Sequence, residues 1–194
     1  GLFLPEDIPR RDVKKMYKKN LSYKETAFEI LNVFLSDYGE STLKRCISDA
    51  YSKSFDSADI TPVVKLDDAN YVLELWHGPT AAFKDVALQL LPHLLAEGKK
   101  MMNDSDETII LVATSGDTGK AALAGFMDVE GTRVLCFYPK DGVAQLQEIQ
   151  MNTQKGSNLH VVSVSGNFDD TQTGVKNSFN DGKWVQKLKE KKKK

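Results

Sequence analysis

The sequence TIILVATSGDTGK, residues 108–120, decides the fold, because an unbroken apolar run leads directly into a turn of glycine and short polar side chains. The run from Thr108 to Ala113 has the length and composition of a strand that is buried on both faces. The residues from Gly119 to Met127 then predict a helix. A buried strand that turns directly into a helix is the repeating unit of an α/β fold with a parallel sheet.

The same alternation continues toward the C-terminus. Two further apolar runs predict strands, and two segments with helical spacing of apolar residues follow them: strands at 133–138 and 159–164, helices at 144–153 and 169–180. Because continuous apolar strands alternate with helices, we predict a parallel sheet that is covered by helices.

The first hundred residues have a different organisation. Ser22 and Glu25 form a capping-box pattern at the start of an amphipathic helix over 22–38, and a second helix is predicted over 42–55. Short β-type runs at 61–66 and 71–76 predict a hairpin or two strands at a domain edge. A helix is expected over 83–97, where Pro92 interrupts it and Gly98 closes it.

Composition narrows the class of protein. A formal net charge of -1 over 194 residues gives no overall attraction to nucleic acid or to an anionic membrane. The two cysteines, Cys46 and Cys136, are too few for a disulfide framework and have no metal-ligand spacing with the three histidines, so we expect buried thiols and no metal site. No apolar run approaches the roughly 20 residues that span a bilayer, and the start lacks signal-peptide features. We therefore predict a cytoplasmic protein without a membrane or nucleic-acid partner.

The turn at 114–120 has two interpretations. Short hydroxyls and backbone N–H groups at a helix N-terminus favour binding of a carboxylate or phosphate. Glycine, aspartate and threonine are equally typical of an ordinary strand-to-helix turn, so the composition of the turn does not decide. A P-loop is excluded, because Thr114 stands where its first glycine belongs and Ala121 stands where Ser or Thr belongs.

A lysine at the start of an otherwise apolar helix is the second candidate feature. Lys84 would lie near a helix N-terminus, where the helix dipole and partial burial lower the pKa of an amine and favour Schiff-base chemistry. For a lone lysine, a solvent-facing side chain paired with Asp85 or another acid is the better-supported interpretation.

Taken together, the turn at 114–120 and the segment around Lys84 favour a functional interpretation of both. The sequence HGPTAAFKD, residues 77–85, is followed about thirty residues later by ATSGDTG, residues 113–119, and this pair resembles the threonine synthase family of fold-type-II pyridoxal-phosphate enzymes. GLFLP at 1–5 and VSGNFDD at 164–170 resemble further segments of that family, so the resemblance covers essentially the whole chain. It implies a tryptophan synthase β-like α/β architecture, with a mainly helical N-terminal region at 1–60, the start of the cofactor domain at 61–105, and a smaller, truncated α/β domain at 106–194.

The resemblance also implies site residues. Lys84 forms the Schiff base with pyridoxal 5'-phosphate and acts as the mobile acid and base, Phe83 packs near the cofactor ring, and Asp117 lies beside the phenolic oxygen of the cofactor, where relatives often have Asn. The substrate carboxylate is bound by the remaining loop residues Ser115, Gly116, Thr118 and Gly119. His77 is not assigned a role and is expected to be a turn histidine that hydrogen-bonds to backbone.

The implied reaction is conversion of O-phospho-L-homoserine and water to L-threonine and phosphate. GNFDD at 166–170 is not taken as the phosphate cup, because two carboxylates beside a phosphate repel it. The cup, and the partner of the pyridine nitrogen, are expected beyond residue 194. Two alternatives stay open: a threonine-synthase-like phospho-lyase that releases a keto acid, and a catalytically incompetent fragment that serves only as a folded or binding module.

Overall fold

The computed structural model describes residues 4–191 and separates the chain into two compact units, Gly1–Ser105 and Asp106–Lys194. No helix within the described residues is both long enough and apolar enough to cross a membrane. Each unit has its own buried core, so each is described by itself.

Helices make up most of the regular secondary structure of the first unit. They are α1 (Val13–Lys18), α2 (Tyr23–Phe34), a 3-10 turn (Ser36–Tyr38), α3 (Glu40–Ala50), α4 (Asp85–Leu88) and α5 (Leu91–Met101). The predicted capping box begins α2, where the Glu25 N–H donates to Ser22 Oγ over 3.4 Å and the Ser22 N–H donates to the Glu25 carboxylate over 2.8 Å. The apolar face of α3 packs with α2 and α5 into one core: Leu43, Cys46, Ile47, Ala50, Tyr51, Ile60 and Leu90.

The predicted hairpin is present, with β1 (Val63–Lys65) antiparallel to β2 (Tyr71–Leu73). The helix expected over 83–97 is interrupted as predicted and forms two helices, α4 and α5. Pro92 lies in the first turn of α5, where its missing N–H removes no intrahelical hydrogen bond. The prediction that Gly98 ends the helix is wrong, since α5 continues to Met101. Gly98 instead leaves room for the Tyr38 hydroxyl, which donates to the Leu94 carbonyl over 3.1 Å.

The second unit contains the predicted parallel sheet. Its three strands are β3 (Thr108–Ala113), β4 (Thr132–Pro139) and β5 (Leu159–Val164), in the order β3-β4-β5, with β4 central. The helices are α6 (Asp117–Gly125), α7 (Gln145–Thr153), α8 (Phe168–Asn180) and α9 (Gly182–Lys191). The sequence did not predict α1 or α9, and residues 192–194 of the lysine-rich tail lie outside the described part of the chain.

The core of the second unit forms where α6 and α7 pack against the sheet. Leu123, Phe126, Val134, Cys136 and Met151 are each at most 1% exposed. Burial raises the pKa of the Cys136 thiol to about 12, and burial also raises the pKa of the Cys46 thiol in the first unit. Both cysteines are free and buried, as the sequence predicts.

Candidate functional site

The lysine turn, defined as residues 77–85, joins the hairpin to α4 and is folded around a carboxylate. Asp85 is completely buried. Its Oδ2 accepts hydrogen bonds from the Thr80 N–H at 2.9 Å and the Ala82 N–H at 3.4 Å, and its Oδ1 accepts from the Thr80 hydroxyl at 2.7 Å. Since three donors of the turn converge on one side chain, Asp85 fixes the path of the backbone that leads to Lys84.

Lys84 lies immediately before α4 and is half-buried. Its Nζ is 4.2 Å from the centroid of the Phe83 ring, and Phe83 is 56% exposed. Lys84 is not ion-paired with Asp85, whose two oxygens are bonded to the turn itself. The arrangement places a primary amine, the functional group that forms a Schiff base with a carbonyl compound, over the exposed ring of Phe83.

The backbone next to Lys84 is also held by Tyr51, the residue that follows α3. The Tyr51 hydroxyl donates to the Val86 carbonyl over 2.6 Å, and burial raises the pKa of Tyr51 well above its usual value. The Leu88 N–H donates to the Lys84 carbonyl over 2.9 Å, which makes Lys84 the N-cap residue of α4. Lys84 is therefore positioned both by the lysine turn and by the buried core of the unit.

His77, at the start of the lysine turn, contacts two carboxylates. Its Nδ1 is 2.6 Å from Asp56 Oδ1 and its Nε2 is 2.7 Å from Glu74 Oε2. The expectation that its ring hydrogen-bonds to backbone is therefore wrong. Because ionised carboxylates only accept hydrogen bonds, both contacts form fully only when both ring nitrogens carry protons. The hydrogen bond to Glu74, followed by that to Asp56, raises the pKa of His77 above its ordinary 6.5.

The raised pKa of His77 predicts a pH dependence of stability. The folded state holds the proton more tightly than the unfolded state, so the contribution is complete below about pH 6.5 and is lost as pH rises through the folded-state pKa. We expect the urea midpoint of the intact protein to fall toward that of His77→Gln between pH 6 and pH 9. A constant difference between the two midpoints over this range would contradict the assignment.

In the second unit, the glycine loop, defined as residues 114–120, connects β3 to α6 around a buried hydroxyl. Thr114 is 2% exposed, and its Oγ1 accepts hydrogen bonds from the Gly116 N–H at 2.9 Å and the Gly119 N–H at 2.8 Å. Two N–H groups that the sequence offered as ligand donors are therefore bonded within the loop.

Both glycines of this loop are required by its geometry. Gly116 has a φ of 138°, in a region that favours glycine, and a Cβ there would overlap the Gln147 side chain. A Cβ on Gly119 would lie 2.8 Å from Cys136 Sγ and 2.9 Å from Met151 Sδ and would also overlap Thr114. The glycines therefore let α6 pack directly against the sheet and α7.

Asp117 is held by two residues that sequence reasoning did not select. The Gln147 amide donates to Asp117 Oδ1 over 2.7 Å, and Lys120 Nζ lies 3.2 Å from the same oxygen. Lys120 is only 8% exposed, so its charge is held close to the Asp117 carboxylate. Lys120 lies three residues after Asp117, a spacing that indicates an ion pair on a helix. Gln147 has no sequence signal for this role, because it comes from the next helix along the chain.

Two of the predicted binding residues of the glycine loop, Ser115 and Thr118, carry hydroxyl groups. Ser115 is exposed and Thr118 is half-buried. Among residues 4–191, neither hydroxyl forms a hydrogen bond with another residue.

The sequence GNFDD at 166–170 caps a helix. Asn167 and Asp170 exchange hydrogen bonds of 2.9 and 3.0 Å at the N-terminus of α8.

The amino-acid sequence of the chain is similar to those of known proteins. Residues 1–51 match the family model described as threonine synthase N terminus. A threonine synthase of Schizosaccharomyces pombe is 37% identical over 96% of the chain. A threonine synthase of Pseudomonas aeruginosa is 37% identical over 93% of the chain. The chain covers 38% of each of those relatives, so it spans about two fifths of the length of the curated relatives it matches.

The same similarity extends to three dimensions. The crystal structure of pyridoxal-phosphate-bound threonine synthase from Brucella melitensis matches 94% of the chain with a TM-score of 0.84 and 36% identity, and the match covers 39% of that protein. Such a match over nearly the whole chain confirms the fold-type-II architecture that the sequence predicts, with its helical N-terminal region and parallel sheet. The resemblance to threonine synthases is likewise confirmed, for the part of those enzymes that the chain covers.

Proposed function

We propose that the chain is part of a pyridoxal-phosphate enzyme that converts O-phospho-L-homoserine and water to L-threonine and phosphate. The observation that carries the proposal is the close structural match to a pyridoxal-phosphate-bound threonine synthase over nearly the whole chain. The amine of Lys84 fits the cofactor chemically, because it lies on the Phe83 ring and is separated from the engaged carboxylate of Asp85.

Each proposed residue has a definite task. Pyridoxal phosphate, when bound, supplies the electron sink for deprotonation next to the amino group of the substrate. Lys84 would hold the cofactor covalently through its Nζ, and the same nitrogen would carry protons to and from the substrate. Phe83 contributes an exposed aromatic face beside that amine. Asp117 is proposed to lie beside the phenolic oxygen of the cofactor, with its own orientation set by Gln147 and Lys120.

We propose different tasks for the glycines and for the hydroxyls of the glycine loop. The N–H groups of Gly116 and Gly119 already donate to Thr114, which supports a conformational task for the two glycines. The hydroxyls of Ser115 and Thr118 are the donors we propose for the substrate carboxylate, since each lies at the start of α6, where the helix dipole favours an anion.

The loop assignment predicts a selective effect. Ser115→Ala and Thr118→Ala each remove a hydrogen bond to a charged group, so we expect the KM for O-phospho-L-homoserine to rise about 10- to 100-fold. The Kd for pyridoxal phosphate should change by less than about twofold, because the lost contact is to substrate. Steady-state kinetics and cofactor titration measure the two quantities. Thr153→Ala on α7 is the matched control, and an equal loss of cofactor affinity in the loop variants would argue against the assignment.

We also propose which partners the protein has and where it is located. We propose a small-molecule substrate and no nucleic-acid or membrane partner, in keeping with a net charge of -1. A cytoplasmic location is proposed from the expected reducing environment of two free, buried thiols.

Two experiments separate the proposal from its alternatives. A phospho-lyase that shares the lysine and the glycine loop would release phosphate together with a keto acid, so identification of the carbon product by mass spectrometry distinguishes it from a synthase. A folded module without catalytic competence would leave the near-ultraviolet and visible absorption bands of added pyridoxal phosphate unchanged, with no new band from a Schiff base. Threonine and phosphate in equal amounts are the expected products.

A further inference from the structure

Asp85 is a buried carboxylate whose partners all come from its own turn. It is completely buried, and no ion pair to it is present among residues 4–191. Thr80, at 5% exposed, supplies two of the three donors, and Ala82 supplies the third. Burial of a carboxylate is costly unless hydrogen bonds compensate it, so a residue kept here serves the geometry of the turn rather than solubility.

The turn around Asp85 is strained. Ala81 has a φ of 53°, in the left-handed region that is unfavourable for a residue with a side chain. The donors to Asp85 lie on both sides of this residue, at Thr80 and Ala82, so the carboxylate holds Ala81 in its unfavourable conformation. Gly78 packs so closely on Asp85 that a Cβ at Gly78 would lie 2.6 Å from Asp85 Oδ2. Strained backbone persists only where surrounding contacts fix it.

The strained turn ends at Lys84, the residue directly before Asp85 in the sequence. A shift of Asp85 would change the backbone at Ala82 and at the start of α4, and with it the direction in which the Lys84 side chain leaves the turn. We propose that Asp85 is a positioning residue, which acts through Thr80 and Ala82 to hold Lys84 in the orientation that forms the covalent bond to the cofactor. This inference rests on the proposed cofactor role of Lys84.

Variants of Thr80 test the inference without removing the buried carboxylate. Thr80→Val has nearly the same volume but lacks the hydroxyl that donates to Asp85 Oδ1 over 2.7 Å. Thr80→Ser keeps the hydroxyl and is the conservative control. Asp85→Asn is a second variant of equal volume, which places an amide NH₂ among the donors of the turn and remains informative if Thr80→Val does not fold.

The readout is the rate at which the intact apoprotein captures pyridoxal phosphate covalently, followed by absorbance well below the unfolding temperature. We expect Thr80→Val to slow capture about tenfold, Asp85→Asn to slow it at least as much, and Thr80→Ser to restore the wild-type rate. The pH midpoint of the cofactor absorbance should shift in Thr80→Val and return in Thr80→Ser, whereas a merely structural role would change only the melting temperature.

The outcomes separate this inference from the proposed function. Wild-type capture on Lys84 with unchanged capture rates and pH midpoints in Thr80→Val and Asp85→Asn overturns the positioning role and leaves the proposed function intact. Borohydride trapping of the wild-type cofactor on another lysine, or no trapping, overturns the proposed function and the positioning role together.

Discussion

Lys84→Ala is expected to reduce turnover of O-phospho-L-homoserine by at least about a thousandfold, because the variant lacks both the amine that binds the cofactor and the group that carries protons. The structure supports this expectation through the position of the amine on the Phe83 ring, apart from the Asp85 carboxylate. Phosphate release and threonine formation by the intact protein, with pyridoxal phosphate in excess, are the measurements.

Two variants control this experiment. Lys84→Arg keeps a positive charge beside Phe83, but a guanidinium stays protonated and does not form a Schiff base, so we expect it to be as inactive as the alanine variant. Lys53→Ala removes an exposed lysine from the same unit and should retain wild-type turnover. Unimpaired turnover in Lys84→Ala, or an equal loss in Lys53→Ala, would contradict the role of Lys84.

Gly119→Ala is expected to lower the free energy of unfolding by about 1–3 kcal/mol, the usual effect of overpacking a core. The added Cβ would press on Cys136, Met151 and Thr114, and displacing Thr114 also weakens its hydrogen bonds to the glycine loop. These losses exceed the gain of up to about 1 kcal/mol from the better helix propensity of alanine. Urea unfolding measures the change, and the KM for substrate should rise in parallel.

The matched control for this substitution is Gly174→Ala in α8, where a Cβ would meet no atom within 4 Å. There the helix propensity of alanine acts without a clash, so stability should rise slightly or stay unchanged. If Gly119→Ala behaved like Gly174→Ala, the close packing of α6 against the sheet would be refuted.

The second unit could be predicted closely from the sequence. The strands at Thr108–Ala113 and Leu159–Val164 have the predicted bounds, because each is a short apolar run with polar or glycine residues on both sides. Local composition therefore predicted where these strands begin and end, although β3 is half-buried rather than buried on both faces and Val162 in β5 is exposed. Parallel pairing followed from the helices between the strands.

In the first unit, local sequence patterns did not predict every helix end or every side-chain contact. The interruption near Pro92 was predicted, but the continuation of α5 through Gly98 was not, because Tyr38, which contacts this part of α5, comes from a distant part of the sequence. The partners of His77 were missed for the same reason, since Asp56 lies 21 residues away. A helical pattern specifies which residues face a core, but the packing partner decides where the helix ends.

The residues of the candidate site were likewise predicted only in part from the sequence. Lys84 and the glycine loop were selected because their motifs are contiguous in the sequence, and their roles remain predictions. The three hydrogen bonds that fold the lysine turn around Asp85, and the contact of Gln147 with Asp117, became visible only in the structure. A motif names the reacting groups, whereas the groups that orient them are set by tertiary packing.

The cofactor bond to Lys84 is tested most directly by borohydride reduction of the intact protein with pyridoxal phosphate, followed by digestion and mass spectrometry of the peptides. We predict a pyridoxyl group on Lys84 and none on Lys120, the buried lysine of the glycine loop. A pyridoxyl group on Lys120 or on any other lysine, or no pyridoxyl peptide at all, would contradict the assignment of Lys84.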